Sequence, residues 1–155
     1  MHISAKSDYG MRAMLELARV EIENPGSRLT AEALSNSQSI PVKFLEGILR
    51  DLRLAGYIST VRGPVGGYRL AKNPKEISVA DVIRALDGPL ADVRGEKPEA
   101  IGYTGSAEHL KEVWIGVRAA LRSVLETSYL SDLVAGKLSP ELKKQLANPE
   151  AWTRR

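Results

Sequence analysis

Apolar residues recur at three- and four-residue intervals through most of the chain, with one short stretch of alternation near its middle. Met11, Met14, Leu15, Ala18 and Ile22 step at helical spacing with Arg12, Glu16, Arg19 and Glu23 between them. This predicts a helix over 5–23, stopped by Asn24-Pro25-Gly26-Ser27. Thr30 is suited to cap a short helix over 31–35 whose apolar members are Ala33 and Leu34, and residues 36–39 read as a turn. Pro41 suits the first position of a helix over 41–55. Its stripe is Phe44, Leu45, Ile48, Leu49, Leu52 and Ala55. Lys43, Glu46, Gly47, Arg50 and Arg53 point outward, and Gly56 ends it.

The period then changes. Tyr57 to Arg62 alternates and is β-prone, residues 63–67 turn on three glycines and a proline, and Tyr68-Arg69-Leu70 returns. That is a β-hairpin. Two short helices followed directly by a hairpin form a winged helix-turn-helix arrangement. After a linker at 73–76, Ser78 with Asp81 approximates a capping box opening a helix over 79–87, with Val79, Val82, Ile83 and Leu86 inward. Residues 89–105 are the least structured stretch, interrupted by Pro89, Gly95, Pro98, Gly102 and Gly105. A loop of that length is functional or disordered.

Residues 107–128 carry the longest regular pattern: Leu110, Val113, Trp114, Val117, Leu121, Val124, Leu125 and Ser128. The stripe reads as a dimerisation helix or as an intramolecular core helix. The first is favoured, because little chain remains to cover that face. Ser131 to Val134 make a short turn, Ser139-Pro140 opens a terminal helix, and residues 147–155 are expected to fray. The predicted fold is mainly α with a small β-hairpin. It divides into a winged helix-turn-helix domain at 1–75, a connecting helix and sensor-type loop at 76–105, a dimerisation helix at 106–135 and a tail at 136–155.

Charge locates the chemistry. Residues 1–75 hold 11 Lys/Arg against 7 Asp/Glu, residues 76–155 hold 11 against 12, and within 41–75 the balance is 7 against 2. The positive charge therefore gathers on the helix before the hairpin and on the hairpin itself, which fits a polyanion-binding module joined to a neutral one; a charged solvated surface is the other reading of the same balance. Arg62 is suited to a narrow minor groove, where the negative potential is enhanced. The chain has no cysteine and two histidines, which excludes disulfides, thiolate metal sites and thiol nucleophiles. The glycine turn leads into a strand and lacks the Gly-Lys-Ser/Thr of a phosphate loop, so an enzyme is not expected. There is neither an apolar run of membrane-spanning length nor a signal-peptide pattern, and the expected location is the cytoplasm, away from membranes.

Several stretches together resemble the IscR, NsrR and CymR family of bacterial transcription regulators. They are Ser7-Asp8-Tyr9-Gly10-Met11-Arg12-Ala13, Phe44-Leu45-Glu46, Leu52-Arg53-Leu54-Ala55-Gly56-Tyr57, the wing from Val61 to Leu70, and Val82-Ile83-Arg84-Ala85-Leu86-Asp87-Gly88. The helix from Val113-Trp114 to Leu133 also fits the family's dimerisation helix, and the likeness spans about residues 1–135. It implies a dimeric winged-helix regulator, usually a repressor, on a dyad-symmetric operator in double-stranded DNA. By position, it places Lys43, Glu46 and Gly47 where family members read bases, Arg62 at the minor groove and Tyr9 at the backbone. Core packing is the other reading of Tyr9, and a solvated helix position that of Glu46. Thr30, Pro41, Phe44, Arg50, Gly63, Gly66, Gly67 and Tyr68 complete the expected DNA-binding set. Leu110, Val113, Trp114, Val117, Leu121, Val124 and Leu125 form the expected dimer seam.

One departure changes the expected signal. Many members carry three cysteines in the loop corresponding to 89–108, where they bind an iron–sulfur cluster. This chain has none, so no cofactor and no metal site is expected. Asp8, where some members place a carboxylate ligand, joins Tyr103, His109 and Trp114 as the candidate effector pocket for a small molecule; His109 also reads as a surface residue, and the aromatic pair as core. A regulatory protein partner is the second expectation. The alternative is a constitutive DNA-binding or protein-interaction module without effector.

Overall fold

The computed structural model describes residues 2–153. Helix α1 spans Ala5–Glu23 and is capped by Ser4, whose Oγ accepts from the Ser7 amide at 2.9 Å. It buries Ala13, Met14, Leu17 and Ala18. Met11 and Leu15 are half-buried and Ile22 is exposed, so the buried face is turned from the predicted stripe. Gly10 lets α1 and α4 approach: a Cβ there would lie 2.2 Å from Leu86 Cδ1.

Helix α2 spans Ala31–Gln38, with the Thr30 hydroxyl accepting from Ala33 N at 3.1 Å. The predicted turn at 36–38 is its last turn. Ser39 then takes the left-handed conformation at φ 52°, uncommon for a residue with a side chain. The reversal is held by Ile40 N to Ser35 O (3.0 Å) and Ser35 Oγ to Ile40 O (2.6 Å). Helix α3 spans Val42–Leu54; Pro41 precedes its first turn as the cap and is not inside it. Leu45, Ile48, Leu49 and Leu52 are buried, whereas Phe44 and Ala55 lie outside the core.

Strands β1 (Ile58–Val61) and β2 (Gly67–Leu70) pair antiparallel with Ile58 opposite Leu70 and Val61 opposite Gly67. Buried Ile58 and Leu70 root the hairpin in the core. Leu29 and Tyr68 exchange backbone hydrogen bonds at 2.9 and 2.7 Å, adding a third short rung. Helix α4 spans Val79–Asp87 and has the full capping box between Ser78 and Asp81. One core joins α1, α2, α3, the hairpin root, α4 and Leu130.

Helix α5 spans Leu110–Leu125, shorter at both ends than the sequence predicts. At its C-terminal end the chain turns to pair with the segment before α4: Val79 N donates to Ser128 O and Leu130 N to Ile77 O, at 2.9 and 3.0 Å. Burying Leu130 in the main core ends the helix. None of the α5 residues is buried. The 89–105 stretch is ordered against α5 by buried Leu90, Pro98 and Ile101, with 3-10 turns at Pro98–Ala100 and Gly105–Ala107. Helix α6 spans Leu130–Val134 and α7 spans Pro140–Leu146. The tail expected to fray continues as a 3-10 turn, Pro149–Trp152, whose Trp152 Nε1 donates to Leu146 O at 2.9 Å. Residues 154–155 of that expected frayed end lie outside the described residues.

Candidate nucleic-acid interface

The amphipathic split of α3 sets up the site. Its inner face anchors in the core, and Lys43, Phe44, Glu46, Arg50 and Arg53 stand exposed on the other side. The side chains of Lys43, Arg53 and Arg62 have no hydrogen-bond or ion-pair partner among the described residues. The Arg50 side chain pairs with Asp51, at 3.3 Å. Unpaired cations on a helix with a rigid apolar back are available to phosphates and base edges at little desolvation cost.

Helix α1 braces the start of α3. Tyr9 meets Phe44 edge-on with ring centroids 6.1 Å apart, and the Arg12 guanidinium lies 5.4 Å from the Tyr9 ring centre. Arg12 also donates to the Gln38 carbonyl, tying α1 to the end of α2. Lys6 Nζ bonds both the Asp51 carboxylate and the Leu86 carbonyl, each at 2.8 Å, so one cation staples α1, α3 and α4. Its hydrogen bond is the main cause that holds the Asp51 carboxyl below the usual carboxylate range, against desolvation. Lys6 and Arg12 are absent from the sequence-derived set. Arg12 had a signal, standing three and four residues after Tyr9 and Asp8 on one helix face.

The wing glycines have reasons internal to the fold. A Cβ on Gly66 would lie 2.7 Å from Val61 O, and one on Gly67 2.7 Å from Leu29 O. Gly63 takes φ +121°, favoured by glycine, and nothing lies within 4 Å of a Cβ built there. Gly66 and Gly67 therefore close the hairpin on its own backbone, and only Gly63 faces open space. Tyr68 is half-buried against the main core. Thr30 and Pro41 serve as helix caps, and Arg62 remains exposed at the wing.

Of the candidate effector residues, Tyr103 and Trp114 meet, and Asp8 and His109 do not join them. Asp8 is exposed and ion-paired with Arg12 of the same helix at 3.4 Å. His109 is 90% exposed and lies 4.0 Å from Glu112. Tyr103 accepts a hydrogen bond from Trp114 Nε1 at 3.2 Å. Trp114 does line a cavity of about 400 Å³, but in company the sequence did not indicate: Ile3, Ser7, Asp87, Leu90 and Val117. Burial pulls the Asp87 carboxyl upward; hydrogen bonds from Ser4 and Ser7 at 2.5 and 2.7 Å outweigh it and set a net downward shift. On the seam, Val113 and Val117 are 54% and 43% exposed, while Leu110, Trp114, Leu121, Val124 and Leu125 are half-buried. Glu99 of the preceding segment is latched to Arg118 of α5 at 2.7 Å.

Comparison with known proteins places this arrangement. A family model named Rrf2, described as iron-dependent transcriptional regulator, matches residues 3–136. A Mycobacterium tuberculosis protein, named as a candidate HTH-type transcriptional regulator, is 43% identical over 148 residues, 96% of this chain and 89% of its own. CymR of B. subtilis, described as the global cysteine regulator of that organism, superposes with a TM-score of 0.73 at 31% identity, covering 88% of this chain and 98% of its own. IscR of T. potens superposes with a TM-score of 0.68 at 30% identity over 100% and 93%.

The family description carries iron, and the donor set here does not fit it. The chain has no thiolate to offer. Near the segment after α4, Glu99 is committed to Arg118, and Asp92 lies 3.4 Å from the Gly95 amide. The described residues contain no group of three His, Asp or Glu able to share an ion. No helix among them is long and apolar enough to cross a membrane.

Proposed function

The chain belongs to the Rrf2 family of DNA-binding transcriptional regulators, and on that premise we propose a cytoplasmic homodimeric repressor of a two-fold symmetric operator. The observation that carries the reading is the split of α3 between a fully buried apolar face and an exposed one bearing Lys43, Glu46 and Arg50. In this reading α3 lies in the major groove, with Lys43 and Arg50 on phosphates or guanines and Glu46 accepting from cytosine N4. Arg62 enters the adjacent minor groove at the exposed wing. Tyr9 and Arg12 act behind the surface, fixing Phe44 and the α2–α3 corner. The exposed valines of α5 meet their copies across a two-fold axis, which sets the two α3 helices about one DNA turn apart, roughly 34 Å.

An effector would act through the cavity between the start of α1, the segment after α4 and α5. It touches a DNA-side helix and the seam at once, so a small molecule bound there would alter the spacing of the two α3 helices. The effector reading is tested by thermal shift against a broad metabolite set; no stabilising compound counts against it. The DNA reading is tested by selecting bound fragments from a random-sequence pool at fixed salt. A symmetric consensus is expected, and an asymmetric one or none would overturn it.

A further inference from the structure

Phe44 is a large apolar side chain, 57% exposed, in the first turn of α3 between exposed Lys43 and the Glu46–Gly47 step. Leaving a phenyl ring in water on a rigid helix needs a reason, and Tyr9 gives it a fixed position rather than a hiding place. Three residues on, one turn further along the same face, stands Gly47, where nothing lies within 4 Å of a built Cβ. The glycine therefore serves no packing need of this chain, and it weakens the helix relative to alanine. Phe44 and Gly47 border one recess of about 420 Å³ on the exposed side of α3, with Lys43 and Arg50 at its rim and Asp51 held by Lys6 behind them. The recess combines an aromatic wall, a floor without a side chain and a cationic rim.

We propose that Phe44 and Gly47 form a notch for the 5-methyl group of thymine in the major groove. The inference rests on the DNA-binding reading and names what this part of α3 recognises. The thymine methyl is the one apolar group that base pairs display in that groove, and the cations at the rim match the phosphates flanking it. Gly47 contributes by lacking a side chain, which lets the pyrimidine edge approach the helix backbone. Phe44 supplies the contact surface. Tyr9 is a positioning residue that keeps the ring over the notch.

The test uses the full-length protein and the operator selected from a random pool, with single thymines replaced by deoxyuridine to remove the methyl alone. Burying one methyl is worth about four-fold in affinity. At one thymine in each half-site the wild type should lose about that factor, and about 16-fold when both half-sites are changed. Phe44→Ala should bind both operators alike at that position, and Phe44→Leu should restore part of the preference. Gly47→Ala fills the notch on a helix that tolerates alanine; it should also abolish the preference while leaving the thermal melting temperature unchanged or higher. Equal wild-type affinity for thymine and deoxyuridine at every position, with specific binding retained, overturns the notch but leaves the DNA reading standing. So does full thymine preference in Phe44→Ala. Absence of any selected consensus overturns both.

Discussion

Val117→Glu is the perturbation that bears hardest on the exposed face of α5. Val113 and Val117 are 54% and 43% exposed in the protomer, so together they leave about one valine side chain in water. Burying a valine is worth about 1.5–3 kcal/mol, and a two-fold contact counts it twice, about 3–6 kcal/mol from these positions alone. Replacing Val117 removes a little under half of that. It also places two carboxylates near the axis, where each ion taken out of water costs several kcal/mol. The dimer should weaken by about 3–5 kcal/mol, on the order of 10²–10⁴-fold in its dissociation constant. Because the site is exposed in the protomer, the variant should keep the wild-type circular dichroism spectrum. Sedimentation equilibrium measures the association, and anisotropy with the full operator measures binding in the same buffer. A folded variant with wild-type dimer affinity refutes the seam. A monomer that binds the full operator as tightly as wild type refutes the link between dimerisation and DNA reading.

Arg62→Ala should cost about 1–3 kcal/mol of operator affinity; unchanged binding at constant salt removes the wing contact. Ser78→Ala breaks the capping box that opens α4 and should cost about 1–2 kcal/mol in urea unfolding, whereas a loss below a few tenths means the cap is not holding that end. Glu16 is held below the usual carboxylate range, chiefly by hydrogen bonds from Arg19. A depressed folded pKa contributes stability that is present above the unfolded value, about 4.3, and is lost as the pH falls through the folded value. Glu16→Gln should therefore destabilise the protein at pH 7 and have a smaller effect at pH 3. An equal effect at both contradicts the assignment.

The helices and hairpin were legible because each has a local cause: caps at Thr30 and Ser78, apolar spacing on α3 and α5, and glycines in the turn. Periodicity could not say which edge of a stripe faces the core. Phe44 is apolar and on register, yet only tertiary packing decides that Leu45 goes in and Phe44 stays out. The wing glycines were legible as a tight turn, but their nearest partners, Leu29 and Val61, are fixed by backbone pairing that spacing does not reveal. Asp8, Tyr103 and His109 were grouped by position along related chains. In space Asp8 turns toward Arg12, while the cavity beside Trp114 takes Ser7 and Asp87. Lys6 was missed because its partners, Asp51 and Leu86, are 45 and 80 residues away.

Hydroxyl-radical footprinting of the selected operator tests the central claim, a two-fold symmetric dimer laying α3 and the wing on DNA, most directly. Two equivalent protected patches are expected, related by the operator dyad and spaced by about one helical turn, roughly 10 base pairs. Protection should be lost at both patches together in Val117→Glu. A single unsymmetrical patch, or protection that survives intact in a monomeric variant, would contradict the account.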